Sequence, residues 1–365
     1  MALDNARMHV TWITSGTIDK RADGRLTSPM ASVRYRVLYV AEQLLANGHR
    51  VDIIQGGVPA NADYLEAPLD ADVVIISKGL FEGSVAIAER AKQRGARVLM
   101  DICDDHFDTV FRETYLALCA LADGITASTP AMARVIAERT TRDAAVIGDP
   151  YEAPHGSPRF QPSEILRLLW FGHPSNFDTL AAMMPSLIDF SRQRPVELHV
   201  VSENVANIAG SLEQLHRRHG PQLAARFTPW SQDATWQALA ACDAVVIPSL
   251  PTDVKLVKSP NRIVDSIRSG RFVAAYPLPS YGAFASCAWL GENVLDGIRW
   301  ALENSQEALT RIRCGQQLVA DRCDAKVLAA EWESLIQRYA ASRPPSCVSP
   351  VRASQLHGSI ASARV

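Results

Sequence analysis

Short apolar, β-branched runs alternate along the chain with longer stretches in which apolar residues recur every three to four positions. The run 73–77 has no polar alternation, which is typical of a strand buried on both faces of a parallel sheet. The stretch 30–47 carries its apolar residues on one face and ends at Gly48, which predicts an amphipathic helix. This alternation predicts an α/β fold with helices on both faces of a parallel sheet.

The same reading gives the extent of each element. Predicted strands cover 9–14, 51–55, 73–77, 97–101, 124–127, 144–147, 166–171, 196–201, 226–228, 244–248 and 272–275. Predicted helices cover 30–47, 83–94, 109–121, 130–139, 177–192, 205–219, 233–240, 260–269, 293–302, 306–319 and 325–341.

One segment interrupts the alternation. Residues 149–163 contain four prolines and Gly156 and show no apolar periodicity, so we predict a linker over 151–163. It separates two doubly wound domains, 1–150 and 164–322, which we expect to face each other across a cleft. A helix in 323–341 is expected to pack back on the first domain. The tail 342–365 has no acidic residue and is predicted to be disordered.

Composition narrows the function. The net charge of −2, from 37 basic and 39 acidic residues, argues against a protein that coats nucleic acid. No apolar run approaches the ~18 residues of a membrane span. The seven cysteines are scattered without a Cys-x-x-Cys pair, so neither a disulfide framework nor a zinc site is expected. We therefore expect a cytoplasmic protein without a nucleic-acid partner or a bound metal.

Ligands of open α/β sheets bind at the carboxyl ends of strands, so we expect binding residues in the loops that follow the strands. In 251–262, Ser259 is placed to cap a helix whose first residue is Pro260. The N–H groups of Asn261 and Arg262, with the cations Lys255, Lys258 and Arg262, would form a pyrophosphate site. The alternative is a capped helix start with ordinary surface lysines.

Other residues of the second half could complete this site. Asp265 lies one turn into the same helix, where it could bind ribose hydroxyls or be solvated. Gly172, His173 and Asn176 follow a strand and could approach phosphate or sugar oxygens, although such loop residues are often only solvated. Trp230 also follows a strand, where it could stack on a base or pack within the domain.

The first half carries two further candidate groups. A long loop leads to Ser28-Pro29, which we interpret as the N-cap and first residue of a helix. Arg34 and Arg36 follow in that helix. Each could contact an acceptor or an anion, or be solvated. The segment 101–108 holds four aspartates and His106. It could bind a base or sugar hydroxyls, form a metal site, or be a solvated turn that caps the next helix.

At this level the chain resembles the GT-B glycosyltransferases, and among them the family 4-like group (glycosyl transferases group 1), over residues 8–340. The resemblance is carried by Ser32-Val33-Arg34-Tyr35-Arg36, Gly48-His49, Trp170-Phe171-Gly172, 242–249, Lys258-Ser259-Pro260-Asn261-Arg262, Asp265, Gly270, Val273, Trp332, Leu335 and Tyr339. It implies an acceptor-binding first domain, a donor-binding second domain, and a last helix that crosses back onto the first.

The resemblance implies transfer of a sugar from a nucleotide-diphosphate sugar to a hydroxyl acceptor, without cofactor or metal, in glycan or secondary-metabolite biosynthesis. Donor contacts would come from Gly172, His173, Asn176, Trp230, Lys255, Lys258, Ser259, Asn261, Arg262 and Asp265. Acceptor contacts would come from Ser32, Arg34, Arg36 and Asp104, with Asp105 and His106 as catalytic, positioning residues.

Two departures bear on that reading. The family's first acidic position falls on Val257, and the usual lysine is missing between Gly172 and Leu180. The resemblance then implies that Lys255, Lys258 and Arg262 neutralise the phosphates, and it leaves retention or inversion open. A sugar-nucleotide epimerase and a non-catalytic nucleotide-sugar-binding protein stay as alternatives. A peripheral contact with the inner face of a membrane is a further hypothesis.

Overall fold

The computed structural model describes residues 7–21, 23–57 and 64–341. The tail predicted to be disordered lies outside these residues. The chain divides into two compact units: one runs to Pro150 and includes the chain from Ala325 onward, and the other is Tyr151–Asp324.

The first unit is built on one parallel sheet. The strands of this sheet are β1 (His9–Thr14), β4 (Arg50–Gln55), β5 (Val73–Ser77), β6 (Arg97–Ile102), β7 (Gly124–Ala127) and β8 (Ala145–Val146). Between β1 and β4, β2 (Asp19–Lys20) and β3 (Leu26–Thr27) form a separate antiparallel hairpin. Its helices are α1 (Ala31–Val33), α2 (Tyr39–Ala46), α3 (Ser84–Gln93), α4 (Arg112–Leu121), α5 (Pro130–Thr140) and α13 (Ala325–Ala341).

The sheet order β4-β1-β5-β6-β7-β8 reverses direction between β1 and β5, as in doubly wound sheets. In register, Trp12 of β1 lies between Ile53 of β4 and Ile75 of β5. The β-branched runs are buried here because helices cover both faces. On one face, the Trp12 ring meets that of Trp332 from α13 at 5.2 Å between centroids.

The predicted helix 30–47 is interrupted. A π-helical turn, Arg34–Leu38, separates α1 from α2. The helix begins later than the Ser28-Pro29 signal predicts: its N-cap is Met30, and the Ser28 hydroxyl accepts a hydrogen bond from the Met30 N–H instead of capping the helix. The prediction of Ser28 as N-cap is therefore wrong by two residues.

The second unit repeats this architecture. Its strands are β9 (Leu166–Phe171), β10 (Val196–Ser202), β11 (Leu223–Pro229), β12 (Ala244–Ile247), β13 (Phe272–Ala275) and β14 (Trp289–Leu290). Its helices are α6 (Phe177–Ser191), α7 (Ile208–His219), α8 (Gln232–Ala241), α9 (Asp253–Leu256), α10 (Asn261–Arg268), α11 (Val294–Glu303) and α12 (Ser305–Cys323).

The second sheet has the order β11-β10-β9-β12-β13-β14, all parallel, and reverses direction between β9 and β12. Alternate residues of β9 serve the two cores: Leu168 and Trp170 pack on one face, Leu169 and Phe171 on the other. Both faces are apolar because helices cover each of them, which confirms the prediction of doubly wound α/β architecture.

The segment predicted as a linker packs within the second unit. Ala153 and Phe160 are buried at 2% exposure each, and Phe160 belongs to one of its apolar cores. Its prolines suppress regular secondary structure, but its apolar side chains still find a core, so irregular backbone does not make this segment a free linker.

Within the described ranges, no helix is long and apolar enough to cross a membrane.

Candidate functional site

The reversal between β9 and β12 creates a crevice at the carboxyl edge of the second sheet, because the chain leaves these neighbouring strands toward opposite faces. The loop 172–176 follows β9, and α9 and α10 follow β12. The two segments that the sequence marks as anion-binding therefore meet at the position where such sheets bind ligands.

Gly172 and Arg262 lie close together where these two segments meet. Gly172 has φ +156°, a conformation that side chains rarely adopt, and a Cβ there would lie 3.5 Å from Arg262 Nη1. That Nη1 is buried and has no hydrogen-bond partner among the described residues. A buried guanidinium nitrogen without a partner has lost its hydrogen bonds to water without replacing them, which is unfavourable in free energy. An anion bound beside Gly172 would replace them.

The loop itself is ordered by its own polar groups. His173 Nδ1 accepts the Ser175 N–H at 3.2 Å and lies 2.8 Å from the Ser175 hydroxyl. Ser202 donates to the Gly172 carbonyl at 2.8 Å, and Asn176 leads into α6. His173 is exposed and Asn176 half-buried beside Gly172 in sequence, so their donor contacts stay a prediction.

Lys255 does not have the role expected of it. Its ammonium lies 2.9 Å from an Asp178 carboxylate oxygen, and its side chain is only 12% exposed. The carboxylate already neutralises this cation, so the expectation that Lys255 contributes to phosphate neutralisation is corrected. Lys258 is half-buried, and its carbonyl accepts the Ser280 hydroxyl at 2.5 Å; its phosphate contact stays a prediction.

The start of α10 differs from the predicted one. The first helical residue is Asn261, the N-cap is Pro260, and no side chain caps this end. Ser259 therefore lies outside the helix, and its assignment as N-cap is wrong by one residue. The N–H groups of Asn261 and Arg262 still lie in the first turn, where N–H groups lack intrahelical partners.

Asp265 has a structural role. The residue is 3% exposed, and its Oδ1 accepts the N–H groups of Glu152 at 2.9 Å and Ala153 at 3.0 Å. The expectation that it binds ribose is corrected, because its carboxylate is buried and holds the backbone of the segment after Pro150.

Two apolar observations complete the second unit. The Trp230 ring packs against the core that includes Phe171 and Val201, the packing role considered for it; stacking on a base stays a prediction. Val257, at the position where the resembling family has a carboxylate, is 2% exposed. Its apolar character suits a core position and supplies no acid.

In the first unit, Arg36 is wholly internal. It donates to Asp101 Oδ1 at 2.6 Å and to Asp149 Oδ1 at 3.1 Å, with 1% of its side chain exposed. Burial alone would lower the pKa of this guanidinium, but Asp101 and Asp149 outweigh burial and raise it. The expectation that Arg36 contacts an acceptor is wrong, because the side chain is enclosed by its own partners.

Arg34 is likewise buried, at 5% exposure. It donates to the carbonyls of Ser28 at 2.7 Å and Pro29 at 3.1 Å, so it holds the entry to α1. This corrects its expected acceptor contact to a structural one. Ser32 is half-buried in α1, and its acceptor contact stays a prediction.

The aspartate-rich segment is divided by the fold. Asp101 is fully buried with Arg36, Ser77 and Thr126, Asp105 Oδ1 accepts the Phe107 N–H at 3.0 Å, and Asp108 pairs with arginines. The His106 ring contacts that of Tyr115. Asp105 thus shapes the turn that was one of the alternatives, and catalytic roles for Asp105 and His106 stay predictions.

Asp104 has a partner that the sequence reading missed. Lys78 Nζ lies 2.7 Å from Asp104 Oδ2, and the two side chains are 15% and 18% exposed. Lys78 has φ +65°, unusual for a residue other than glycine. The signal was present: Lys78-Gly79 directly follows a buried strand, at the carboxyl end where ligands bind.

In the described part of the chain, no group of three or more His, Cys, Asp or Glu residues could hold a metal ion. The aspartates of 101–108 are instead distributed among arginine, lysine and backbone partners.

No family model and no curated protein matches the sequence. Solved structures do match its fold. A glycosyltransferase from Rickettsia africae has a TM-score of 0.67 and 10% identity, over 92% of this chain and 100% of that one. Anabaena HepE, solved with UDP-glucose, has a TM-score of 0.62 and 15% identity, over 91% and 100%.

TarM has a TM-score of 0.56 and 14% identity over 72% of this chain, which spans about half (54%) of the length of TarM. At such identities the likeness concerns the fold. Two six-stranded parallel Rossmann-like sheets and these matches lead to one conclusion: the chain has the GT-B fold.

Proposed function

We propose that the chain is a glycosyltransferase that moves a sugar from a nucleotide-diphosphate sugar to a hydroxyl acceptor, in glycan or secondary-metabolite assembly. The observation that carries the proposal is the buried Arg262 Nη1, which has no protein partner in the described residues and lies against Gly172 at the reversal of the second sheet. The UDP-glucose complex of HepE supports a nucleotide sugar as the ligand class.

The chemistry follows from charge. When the bond between sugar and diphosphate breaks, negative charge grows on the leaving diphosphate. Arg262 and the N–H groups at the start of α10 would stabilise that charge, since they are held in place before the reaction. Arg262 would thereby supply the positive charge without a metal ion, and Lys258 would add to it. Lys255 is left out because Asp178 neutralises it.

The ligand class is tested by a thermal-shift screen of UDP, GDP, TDP and ADP and their sugars. A ligand at 100 times its Kd stabilises the folded state by about 2.7 kcal/mol, so the correct base should raise the Tm clearly. Transfer itself is tested by analysing products with a panel of hydroxyl acceptors. Donor hydrolysis or epimerisation without transfer would replace the proposal by the epimerase alternative.

The site is tested with Arg262→Ala. A hydrogen bond to a charged group is worth about 1.5–3 kcal/mol, so the nucleotide-diphosphate Kd should rise by at least tenfold. Arg192→Ala is the matched control, since Arg192 is an exposed arginine of the same unit, paired with Asp189 on α6. An unchanged Kd in Arg262→Ala, or no stabilisation by any of the four nucleotides, would contradict the proposal.

A further inference from the structure

Ser202 is a polar residue at the end of an apolar row on β10. Side chains alternate between the two faces of a strand, so Ser202 lies on the same face as Leu198 and Val200, which belong to one core of the second unit. Ser202 itself is 0% exposed. A buried hydroxyl is unfavourable unless it is hydrogen-bonded, so its partner indicates why a serine occupies this position.

That partner is the loop that follows β9. The Ser202 hydroxyl donates to the Gly172 carbonyl at 2.8 Å, and the Gly172 N–H donates to the Val201 carbonyl at 3.2 Å. The Ser202 carbonyl in turn accepts the Trp230 N–H at 2.9 Å. The last two residues of β10 therefore hold Gly172 through both its N–H and its carbonyl.

This arrangement sets the direction of the His173 N–H. The Gly172–His173 peptide is trans, so its carbonyl and its N–H point in opposite directions, and the His173 N–H is directed away from Ser202. That N–H has no hydrogen-bond partner among the described residues.

The other N–H groups of the loop have partners within the protein or are missing. Gly172 donates to Val201, Ser175 to His173 Nδ1 and Asn176 to the His173 carbonyl, and Pro174 has no N–H. Among residues 172–176, all of which the structure describes, the His173 N–H is therefore the backbone donor that remains for a ligand.

The His173 N–H lies near the cation on which the proposed function depends. Its nitrogen is bonded to the Gly172 carbonyl carbon, and a Cβ on Gly172 would lie 3.5 Å from Arg262 Nη1. Arg262 Nη1 is buried and likewise has no hydrogen-bond partner in the described part of the chain. Two donors without acceptors therefore lie around one glycine, whose lack of a side chain lets an anion approach them.

We propose that Ser202 is a positioning residue of the donor site: its hydroxyl fixes the Gly172–His173 peptide so that the His173 N–H donates to the diphosphate bound at Arg262. Ser202 acts through this peptide and does not touch the ligand. The N–H is aligned before the ligand arrives, so binding does not have to order it. This inference rests on the proposed function, because it concerns how the donor is held.

The first test compares two buried serines of the second unit by calorimetry on the full chain with UDP, GDP, TDP and ADP. In Ser202→Ala the peptide loses its anchor, so the Kd of the nucleotide that binds should rise about tenfold, as for one hydrogen bond to a charged group. Ser191→Ala is the matched control, because Ser191 is 2% exposed and donates to the Ile188 carbonyl at 2.7 Å.

Both variants should lower the urea midpoint of unfolding by similar amounts, since each removes one buried hydroxyl that donates to a carbonyl. Only Ser202→Ala should weaken nucleotide binding. An unchanged Kd in Ser202→Ala, or equal increases of the Kd in the two variants, would overturn the inference, because a purely structural serine lowers stability without a selective loss of affinity.

The second test observes the N–H itself and does not require the variant to fold. In amide NMR spectra, the His173 amide proton of the wild-type chain should move downfield when the nucleoside diphosphate saturates the site, because a charged oxygen accepts its hydrogen bond. The shift should be smaller in Ser202→Ala. Saturation without a downfield shift in the wild-type chain would overturn this inference alone. A wild-type chain that binds none of the four nucleotides would overturn the proposed function and this inference with it.

Discussion

The two sheets reverse direction in the same way, but the charged side chains at the two reversals are paired differently. In the first unit Arg36 and Lys78 are matched by Asp101, Asp149 and Asp104. In the second, Arg262 keeps a buried nitrogen without a protein partner among the described residues. One architecture therefore carries an edge whose cations are paired with carboxylates and an edge where a guanidinium nitrogen has no such partner in the described residues.

This difference teaches how one fold can present cations in two ways. An edge whose cations are already paired with carboxylates gains little from an anion. An edge where one guanidinium nitrogen is buried without a partner gains most from an anion, since binding removes a desolvation cost. The position of the site comes from the topology, and its ligand preference comes from how side-chain charges are paired.

The largest expected effect comes from removing a cation from the paired edge of the first unit. Arg36→Ala leaves Asp101 and Asp149 buried without their cation, so the free energy of unfolding should fall by about 3–5 kcal/mol. Urea unfolding followed by tryptophan fluorescence measures it. Arg50→Ala, at an exposed arginine of the same unit, should change stability by no more than about 0.5 kcal/mol. A loss below about 1 kcal/mol in Arg36→Ala would show that the pairing is dispensable.

A smaller loss is expected from Asp265→Ala in the second unit. Two backbone N–H groups lose their charged acceptor, so the free energy of unfolding should fall by about 2 kcal/mol. The nucleotide Kd should stay within about twofold, measured by calorimetry against the exposed Asp253→Ala. If affinity fell while stability stayed unchanged, Asp265 would regain the ribose role expected from the sequence.

Lys255→Met sharpens the contrast between paired and unpaired cations. Because Asp178 already neutralises Lys255, its removal should change the nucleotide Kd by less than about threefold, under ~1 kcal/mol. Arg262→Ala, measured in the same calorimetric series, should raise the Kd at least tenfold. Equal losses in the two variants would mean that pairing does not decide which cation binds the diphosphate.

The smallest effect concerns another unpartnered nitrogen, His199 Nδ1 on β10. Burial, then Arg226, lower the pKa of His199 to about 4 from 6.5. As pH falls from about 6.5 to about 4, the unfolded chain binds a proton that the folded chain refuses, so stability falls. In His199→Gln this part of the pH dependence should vanish, as urea midpoints from pH 7 to pH 4 would show.

The same variant should leave nucleotide affinity unchanged, because the His199 side chain is bonded to Thr228 of the neighbouring strand and not to the Gly172 loop. A weaker nucleotide affinity in His199→Gln would contradict the comparison. It would mean that the position of Arg262 at the reversal of the sheet does not set its nitrogen apart from that of His199.

Much of the fold could be predicted from the sequence. The bounds of β1, β5 and β9 agree with the prediction. The clearest case is β5, because its run without polar alternation marks a strand buried on both faces. The hairpin of β2 and β3 was missed, since two-residue strands are too short to show a period. The π-helical turn at Arg34–Leu38 was also missed, because apolar spacing does not distinguish it from an α-helix.

The sequence by itself determined the alternation of strands and helices, the position of the loops at their carboxyl ends, and the candidate cations in those loops. These are local properties of residues a few positions apart. Only the tertiary structure decided which charged groups have partners within the protein: Lys255 pairs with Asp178, Arg36 with Asp101, and Asp265 with the backbone at Glu152. Such partners lie far apart in the chain, and an ion pair depends on distance in space, so no local pattern reveals that Arg262 Nη1 is buried without a hydrogen-bond partner among the described residues.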